Sequence, residues 1–269
     1  MPSPARLRFT TIAHARHRVL SPLSEERIAW LLTTLDVSGL FANPRVVDIG
    51  CGKAELALRI ADRFHGSATG VDPNAAFLME ARDRANALGL GERFHAIEST
   101  AAESKLPEGA FDLACCVGST HAFGGFAKTV GALSRLAVTD GLLLIGDGFW
   151  RRRPDAEYLT FLGATESEFV THEENQARLR SQGLSTLAAW ESSLEEWDAY
   201  ESLYAASMAS YLDAHPGDPD CAAFRQRIDG WRTMYLARGR ETLGFGFYLC
   251  RVPGSASNAP ARRLSSSTS

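Results

Sequence analysis

Short, mostly apolar runs at residues 46–49, 93–97, 111–117 and 142–146, with a further apolar stretch ending at Val71, predict buried strands. Between them the apolar residues recur at helical spacing. Ala57, Ile60, Ala61 and Phe64 share one face of a helix over 54–64, and Phe77, Ala81, Ala85 and Leu88 share one face of a helix over 74–88. Gly89 and Gly91 stop the second of these, and a third helix is predicted over 126–137. Strands that alternate with helices imply parallel crossover units, and hence a doubly wound α/β sheet whose ligands bind at the carboxyl ends of the strands.

After Gly146 the pattern changes. Residues 150–182 predict helix and loop, 186–191 a sixth strand, 194–239 two helices broken by HPGDPD, and 243–251 a last strand. Trp197, Tyr200, Tyr204, Met208 and Tyr211 form a stripe on the first of those helices, and Phe224, Ile228, Trp231 and Tyr235 form one on the second. Such stripes predict a helical hairpin core, and several of their rings are candidates to roof a substrate pocket. Residues 253–269 are rich in Ser, Ala, Pro and Arg, and predict a disordered tail.

With 269 residues and 45% hydrophobic content, the chain is long enough for one large α/β core with additions. No run reaches membrane-spanning length, and the basic first twenty residues lack the apolar stretch of a signal peptide; a cytoplasmic location is expected. A net charge of −4 offers no footprint for nucleic acid, so small-molecule substrates are favoured, with neither nucleic-acid nor membrane partners. Oligomeric state is not legible. Five cysteines in no CxxC arrangement read as reduced packing residues rather than the converging thiols of a metalloid methyltransferase. No HxH or clustered acidic signature calls for a metal ion, and none is predicted. The Arg151, Arg152 and Arg153 cluster either meets an acidic substrate or covers the surface.

The chemistry concentrates in VVDIGCGKAEL, residues 46–56, and in Asp72 of TGVDP, 20 positions after Gly52. Gly50 and Gly52 allow a tight turn with close backbone approach, and the helix that follows offers free amides to an acidic or polar ligand. Asp72 falls where the end of a strand presents a carboxylate to ribose hydroxyls. A dinucleotide site would read GxGxxG, whereas here Asp48 stands two places before the first glycine and Ala54 occupies the third small position. This pattern resembles motif I of the class I S-adenosylmethionine-dependent methyltransferases, usually DxGxGxG. RFTTIAHARHRVLSPLS, CVGSTHAFGG, GDGFWRRRP, EEWDAYE and GFGFYL resemble a group of uncharacterised bacterial small-molecule methyltransferases, over residues 9–252.

The resemblance implies a Rossmann-like fold with a mostly parallel seven-stranded sheet, order 3-2-1-4-5-7-6 with strand 7 antiparallel, and a helical lid insertion. It implies that 1–43 form a helical segment covering the site, 44–149 the cofactor core, 150–242 the second half of the sheet with the substrate lid, and 243–252 the last strand. It implies S-adenosylmethionine as cofactor, S-adenosylhomocysteine as product, and methyl transfer to O, N or C of the acceptor. Gly50, Cys51 and Gly52 would approach the methionine part and Asp48 would orient their loop. Asp72 would accept both ribose hydroxyls, flanked by Pro73 and Asn74. Thr100, Ala101 and Ala102 would meet adenine, with Thr100 where many relatives carry an acid. Val117 and Gly118 would offer a carbonyl to the cofactor's amino group.

A sulfonium methyl is already activated, so the protein must mainly align a nucleophile and exclude water; a base is needed only for a protonated nucleophile. His121, after the fourth strand, is the candidate for that base or for substrate contact. His17, Arg18, Trp150, Arg151, Tyr200, Glu201 and Tyr204 are further candidates for the substrate pocket. The aromatic stripes favour a partly apolar or ring-containing acceptor, and the arginines allow a carboxylate or phosphate on it. Two other functions fit the same pattern. One is an NAD(P)-dependent oxidoreductase, opposed by the glycine spacing and by the absence of a TyrxxxLys pair. The other is a non-catalytic cofactor-binding partner subunit.

Overall fold

In the computed structural model, which describes residues 3–254, seven strands form a single sheet in the order β3-β2-β1-β4-β5-β7-β6. The strands are β1 (Arg45–Ile49), β2 (Ser67–Asp72), β3 (Phe94–Glu98), β4 (Phe111–Val117), β5 (Ala137–Trp150), β6 (Ser185–Glu191) and β7 (Leu243–Arg251). The first five are parallel to one another, and β7 runs antiparallel to both β5 and β6. The chain order reverses between β1 and β4, where neighbouring crossovers leave in opposite directions and open a crevice at the strands' carboxyl ends. The expected tail lies, beyond Gly254, outside the described residues.

β5 is much longer than the run at 142–146 predicts. Its carboxyl half stays in the sheet because β7 pairs with it from Leu142↔Arg251 to Trp150↔Leu243. The polar Asp147 interrupts the apolar pattern there without interrupting the strand.

Nine helices of seven or more residues surround the sheet among the described residues: α1 (Pro4–Ala13), α2 (Glu25–Val37), α3 (Glu55–Arg63), α4 (Ala75–Ala87), α5 (Phe126–Leu136), α6 (Ala156–Leu162), α7 (His172–Ser181), α8 (Leu194–Ala214) and α9 (Cys221–Met234). Side-chain oxygens start many of them. Ser3, Ser24, Asn74 and Asp155 accept from first-turn amides, and Thr171 with Glu174 and Ser193 with Glu196 form reciprocal capping boxes. Apolar faces of α2, α3 and α4 close one core against the sheet, and those of α5 and α7 close the other.

The two aromatic stripes do lie on α8 and α9, but a third partner sits between them. Phe9 of α1 packs edge-on to Phe224 at 5.3 Å and to Tyr204 at 6.3 Å, and together with Ala13, Met208, Leu212 and Ile228 it makes a separate small core. Arg8 reinforces this docking through ion pairs to Asp218 and Asp220. The amino-terminal helix is therefore bound to the α8–α9 hairpin, and this places it across the crevice.

Candidate functional site

At the end of β1 the chain turns back through a left-handed glycine, Gly50 (φ +72°), and its amide donates to the Val71 carbonyl at 2.7 Å. A Cβ at Gly50 would lie 2.3 Å from the Ser119 side chain, and one on Gly52 (φ +53°) would lie 2.8 Å from Leu20. Gly50 is thus required by space as well as favoured by backbone sign, and Gly52 is favoured by backbone sign. Ala54 also adopts positive φ (+53°), immediately before α3. The third small position of the motif is a left-handed helix start, which costs alanine roughly 1–2 kcal/mol relative to glycine.

Asp72, at the tip of β2, ties this turn to the next. Its Oδ2 accepts from the Gly52 amide at 2.9 Å and its Oδ1 accepts from the Asn74 amide at 2.8 Å, leaving lone pairs on both oxygens for a ligand. Burial raises its pKa, and the two amides work against that rise. Asp48 is different. Its side chain is buried, Oδ1 has no hydrogen-bond partner, and burial, followed by repulsion from Asp72, pushes its pKa up to about 7. A buried carboxylate left without a donor is costly, and a cationic or hydrogen-bonding ligand would supply what it lacks.

These residues form the floor of a cavity of about 580 Å³. Its roof comes from the amino terminus. Arg6 and Thr10 of α1 and His14, which caps its end, spaced i, i+4, i+8, line it together with Arg18 and Leu20 from the strap that follows. The strap is pinned by Lys53, whose ammonium donates to the Ala15 carbonyl at 3.2 Å, and α1 by Asn74, whose amide donates to Thr11 Oγ1 at 2.8 Å. His14 Nδ1 lies 2.9 Å from the Thr10 carbonyl, which can only accept, so Nδ1 carries the hydrogen and Nε2 accepts from the Tyr200 hydroxyl at 2.8 Å. Burial lowers the pKa of His14 to about 4, which keeps it neutral near pH 7.

His121 reaches the cavity from the short turn after β4. That turn is held from below by Thr120, which donates to the buried Asp147 carboxylate at 2.7 Å. The His121 pKa is lowered, by burial first and by the nearby Arg6 second, so its imidazole is neutral and able to accept a proton.

Asp48, Gly50, Cys51, Gly52, Asp72, Pro73, Asn74, Thr100, Ala101, Val117, Gly118, His121, Arg18 and Tyr200 all line this one cavity. The others do not. Ala102 is exposed beyond its rim. His17 is buried behind the wall, donating from Nε2 to the Tyr200 carbonyl at 2.9 Å, and so braces Tyr200 without facing the cavity. Tyr204 is packed between Phe9 and His14. Glu201 faces a separate small void under α9, accepting from Trp231 Nε1 at 2.7 Å. Trp150 donates its indole hydrogen to the Glu166 carbonyl, and Arg151 is taken up by Glu191 and the Ser192 carbonyl. Arg152 and Arg153 pair with Glu241 and Glu166, so the cluster at 151–153 has no cation directed at the cavity. Arg6, Thr10 and His14 were missed by the sequence reading. Their i, i+4, i+8 spacing was the available signal, hidden because α1 carries no apolar periodicity strong enough to announce a helix.

A family model described as a methyltransferase domain matches residues 46–141. Over 244 residues the chain is 31% identical to the uncharacterised protein YjhP of Escherichia coli (strain K12), a match that spans 90% of this chain and 96% of that protein. It shares 30% identity and a TM-score of 0.84 with the crystal structure of a SAM-dependent methyltransferase from Thiobacillus denitrificans in complex with S-adenosyl-L-homocysteine, covering 93% of this chain and 99% of that one. It is also 29% identical over 155 residues to the 27-O-demethylrifamycin SV methyltransferase of Amycolatopsis mediterranei, covering 56% of this chain and 57% of that protein.

Proposed function

This chain belongs to the class I S-adenosylmethionine-dependent methyltransferases, and from that membership we propose that the cavity beneath α1 holds the cofactor and that its methyl group passes to a small-molecule acceptor lying toward His121. The observation that carries the reading is the buried carboxylate of Asp48, with an oxygen free of any hydrogen bond, beside a glycine turn too tight for any side chain. A ligand with an ammonium and a sulfonium fits that floor. Asp72, with both oxygens at the cavity wall, suits a vicinal ribose diol. Thr100, Ala101, Pro73 and Asn74 would flank the base, and Val117 and Gly118 would close the methionine side.

When bound, the cofactor would supply an activated methyl group on sulfur, with Asp48, Asp72 and the glycine turn holding it for transfer to the acceptor. The chain's own work is placement. Residues 44–149 hold the donor and residues 1–43 cover it and keep water out, while residues 150–242 complete the sheet, lend Tyr200 to the wall and carry the α8–α9 hairpin to which α1 is bound, in place of the expected substrate lid. Orientation of this kind accounts for roughly 7–11 kcal/mol of barrier in well-aligned reactions. Where the acceptor atom carries a proton, neutral His121 takes it; Tyr200, whose own hydrogen is committed to His14, presents its oxygen as an acceptor that orients the same group. A metal has no part in this reading.

The reading extends to a cytoplasmic enzyme with no nucleic-acid or membrane partner. Its net charge of −4 gives no basic face for a phosphate backbone, and among the described residues no helix is long and apolar enough to cross a membrane. The likeness to the 27-O-demethylrifamycin SV methyltransferase supports the acceptor class. The test is a transfer assay with methyl-labelled cofactor and a cell extract separated by size. Label should appear in the low-molecular-weight fraction; label confined to protein or nucleic acid would contradict the proposal.

A further inference from the structure

The cavity is divided by charge. The acids that line it, Asp48, Glu55 and Asp72, lie at the carboxyl ends of β1 and β2 and at the start of α3. Glu55 is already paired with Arg59 and Arg84. The opposite wall, made by α1 and the turn after β4, contributes Arg6, Thr10, His14 and His121 and no carboxylate. Arg6 and Arg18 are exposed at the cavity's rim, and among the described residues neither forms an ion pair. This sets them apart from Arg8, Arg59, Arg151, Arg152 and Arg153, each of which has an acidic partner.

The two free guanidiniums stand at different ends. Arg18 lies two residues before Leu20, whose side chain a Cβ on Gly52 would meet at 2.8 Å, and Gly52 leads into α3. Arg18 therefore lies at the α3 end, beside the glycine turn. Arg6 stands near the start of α1, two helical turns before His14 and the strap, and lines the cavity together with His121 of the turn after β4.

Building on the proposed cofactor site, we infer that these arginines bind two different anions: Arg18 the carboxylate of the cofactor's methionine part, and Arg6 a carboxylate or phosphate carried by the methyl acceptor. A guanidinium matches either anion with paired hydrogen bonds, and Thr10 on the same face of α1 adds a hydroxyl donor. An anion held by Arg6 leaves the remainder of the acceptor beside His121 and Tyr200. The neutral His14 and His121 neither compete with Arg6 for the anion nor repel a proton-bearing nucleophile.

The experiment is calorimetric titration of the full chain, first with S-adenosylhomocysteine and then, on the protein saturated with it, with benzoate, phenyl phosphate and neutral benzamide as probes. Benzoate and phenyl phosphate, as anions of the two kinds, separate the carboxylate from the phosphate reading. At least one should bind more tightly than benzamide, and Arg6→Gln should weaken that binding about tenfold or more while leaving S-adenosylhomocysteine affinity unchanged. Arg18→Gln should do the reverse. The inference is overturned if neither anion exceeds benzamide, if Arg6→Gln leaves anion affinity unchanged, or if the two variants exchange effects. Failure of S-adenosylhomocysteine to bind at all is a separate result that removes the cofactor site itself. Both side chains are exposed, so neither variant threatens folding.

Discussion

Asp48 shows how a single residue can be held against its own stability. Its folded-state pKa is raised to about 7, mainly by burial, whereas in the unfolded chain it titrates as an ordinary carboxyl. Above about pH 7 the group is ionised in both states, and the folded state bears the cost of a buried charge. As pH falls through 7 the folded state takes up a proton first, and by about pH 4 that penalty is gone. Asp48→Asn should therefore stabilise the ligand-free protein at pH 8 by roughly 2 to 4 kcal/mol and have little effect at pH 4.5, and it should weaken S-adenosylhomocysteine binding at pH 8. Chemical denaturation at the two pH values checks this; a variant no more stable than wild type at pH 8 contradicts it. At this scale the glycine turn and Asp72 were legible, because backbone sign and strand-end position leave marks on local sequence. The partners of His14 were not, since Tyr200 is 186 positions away.

At the scale of elements, α1 is the decisive piece. It has little apolar character of its own and is ordered by a few contacts with α8 and α9, of which Phe9, 2% exposed, is the largest. Phe9→Ala removes the ring from that small core, and truncations of this kind cost about 3–5 kcal/mol. Because the main cores against the sheet do not include Phe9, the loss should appear as local opening. Limited proteolysis should cut Phe9→Ala within the first twenty residues much faster than wild type while the rest of the chain stays resistant, and S-adenosylhomocysteine affinity should fall with it. A uniform loss of resistance along the chain would show that α1 is part of the global fold. The helices and strands of the first half were readable from periodicity because each buries one face locally. The carboxyl half of β5 was not, since only its pairing with β7, almost a hundred residues later, keeps Asp147 in the sheet.

For the whole molecule, the strand order could not come from periodicity, which predicts a doubly wound sheet but not its sequence of neighbours; the motif resemblance supplied it, and the observed order agrees. Folding brings residues from β1, β2, β4, α1, α8 and the loop after β3 around one cavity, the proposed cofactor site, with Asp72 as its ribose anchor. The most direct test is thermal unfolding of wild type and Asp72→Asn with S-adenosylhomocysteine, with NAD, and with neither. At about 100 times its dissociation constant, S-adenosylhomocysteine should stabilise the wild type by roughly 2.7 kcal/mol, a shift of about 5 to 10 °C for a domain of this size, and the shift should be largely lost in the variant. Stabilisation by NAD instead, or an equal S-adenosylhomocysteine shift in both proteins, would contradict it.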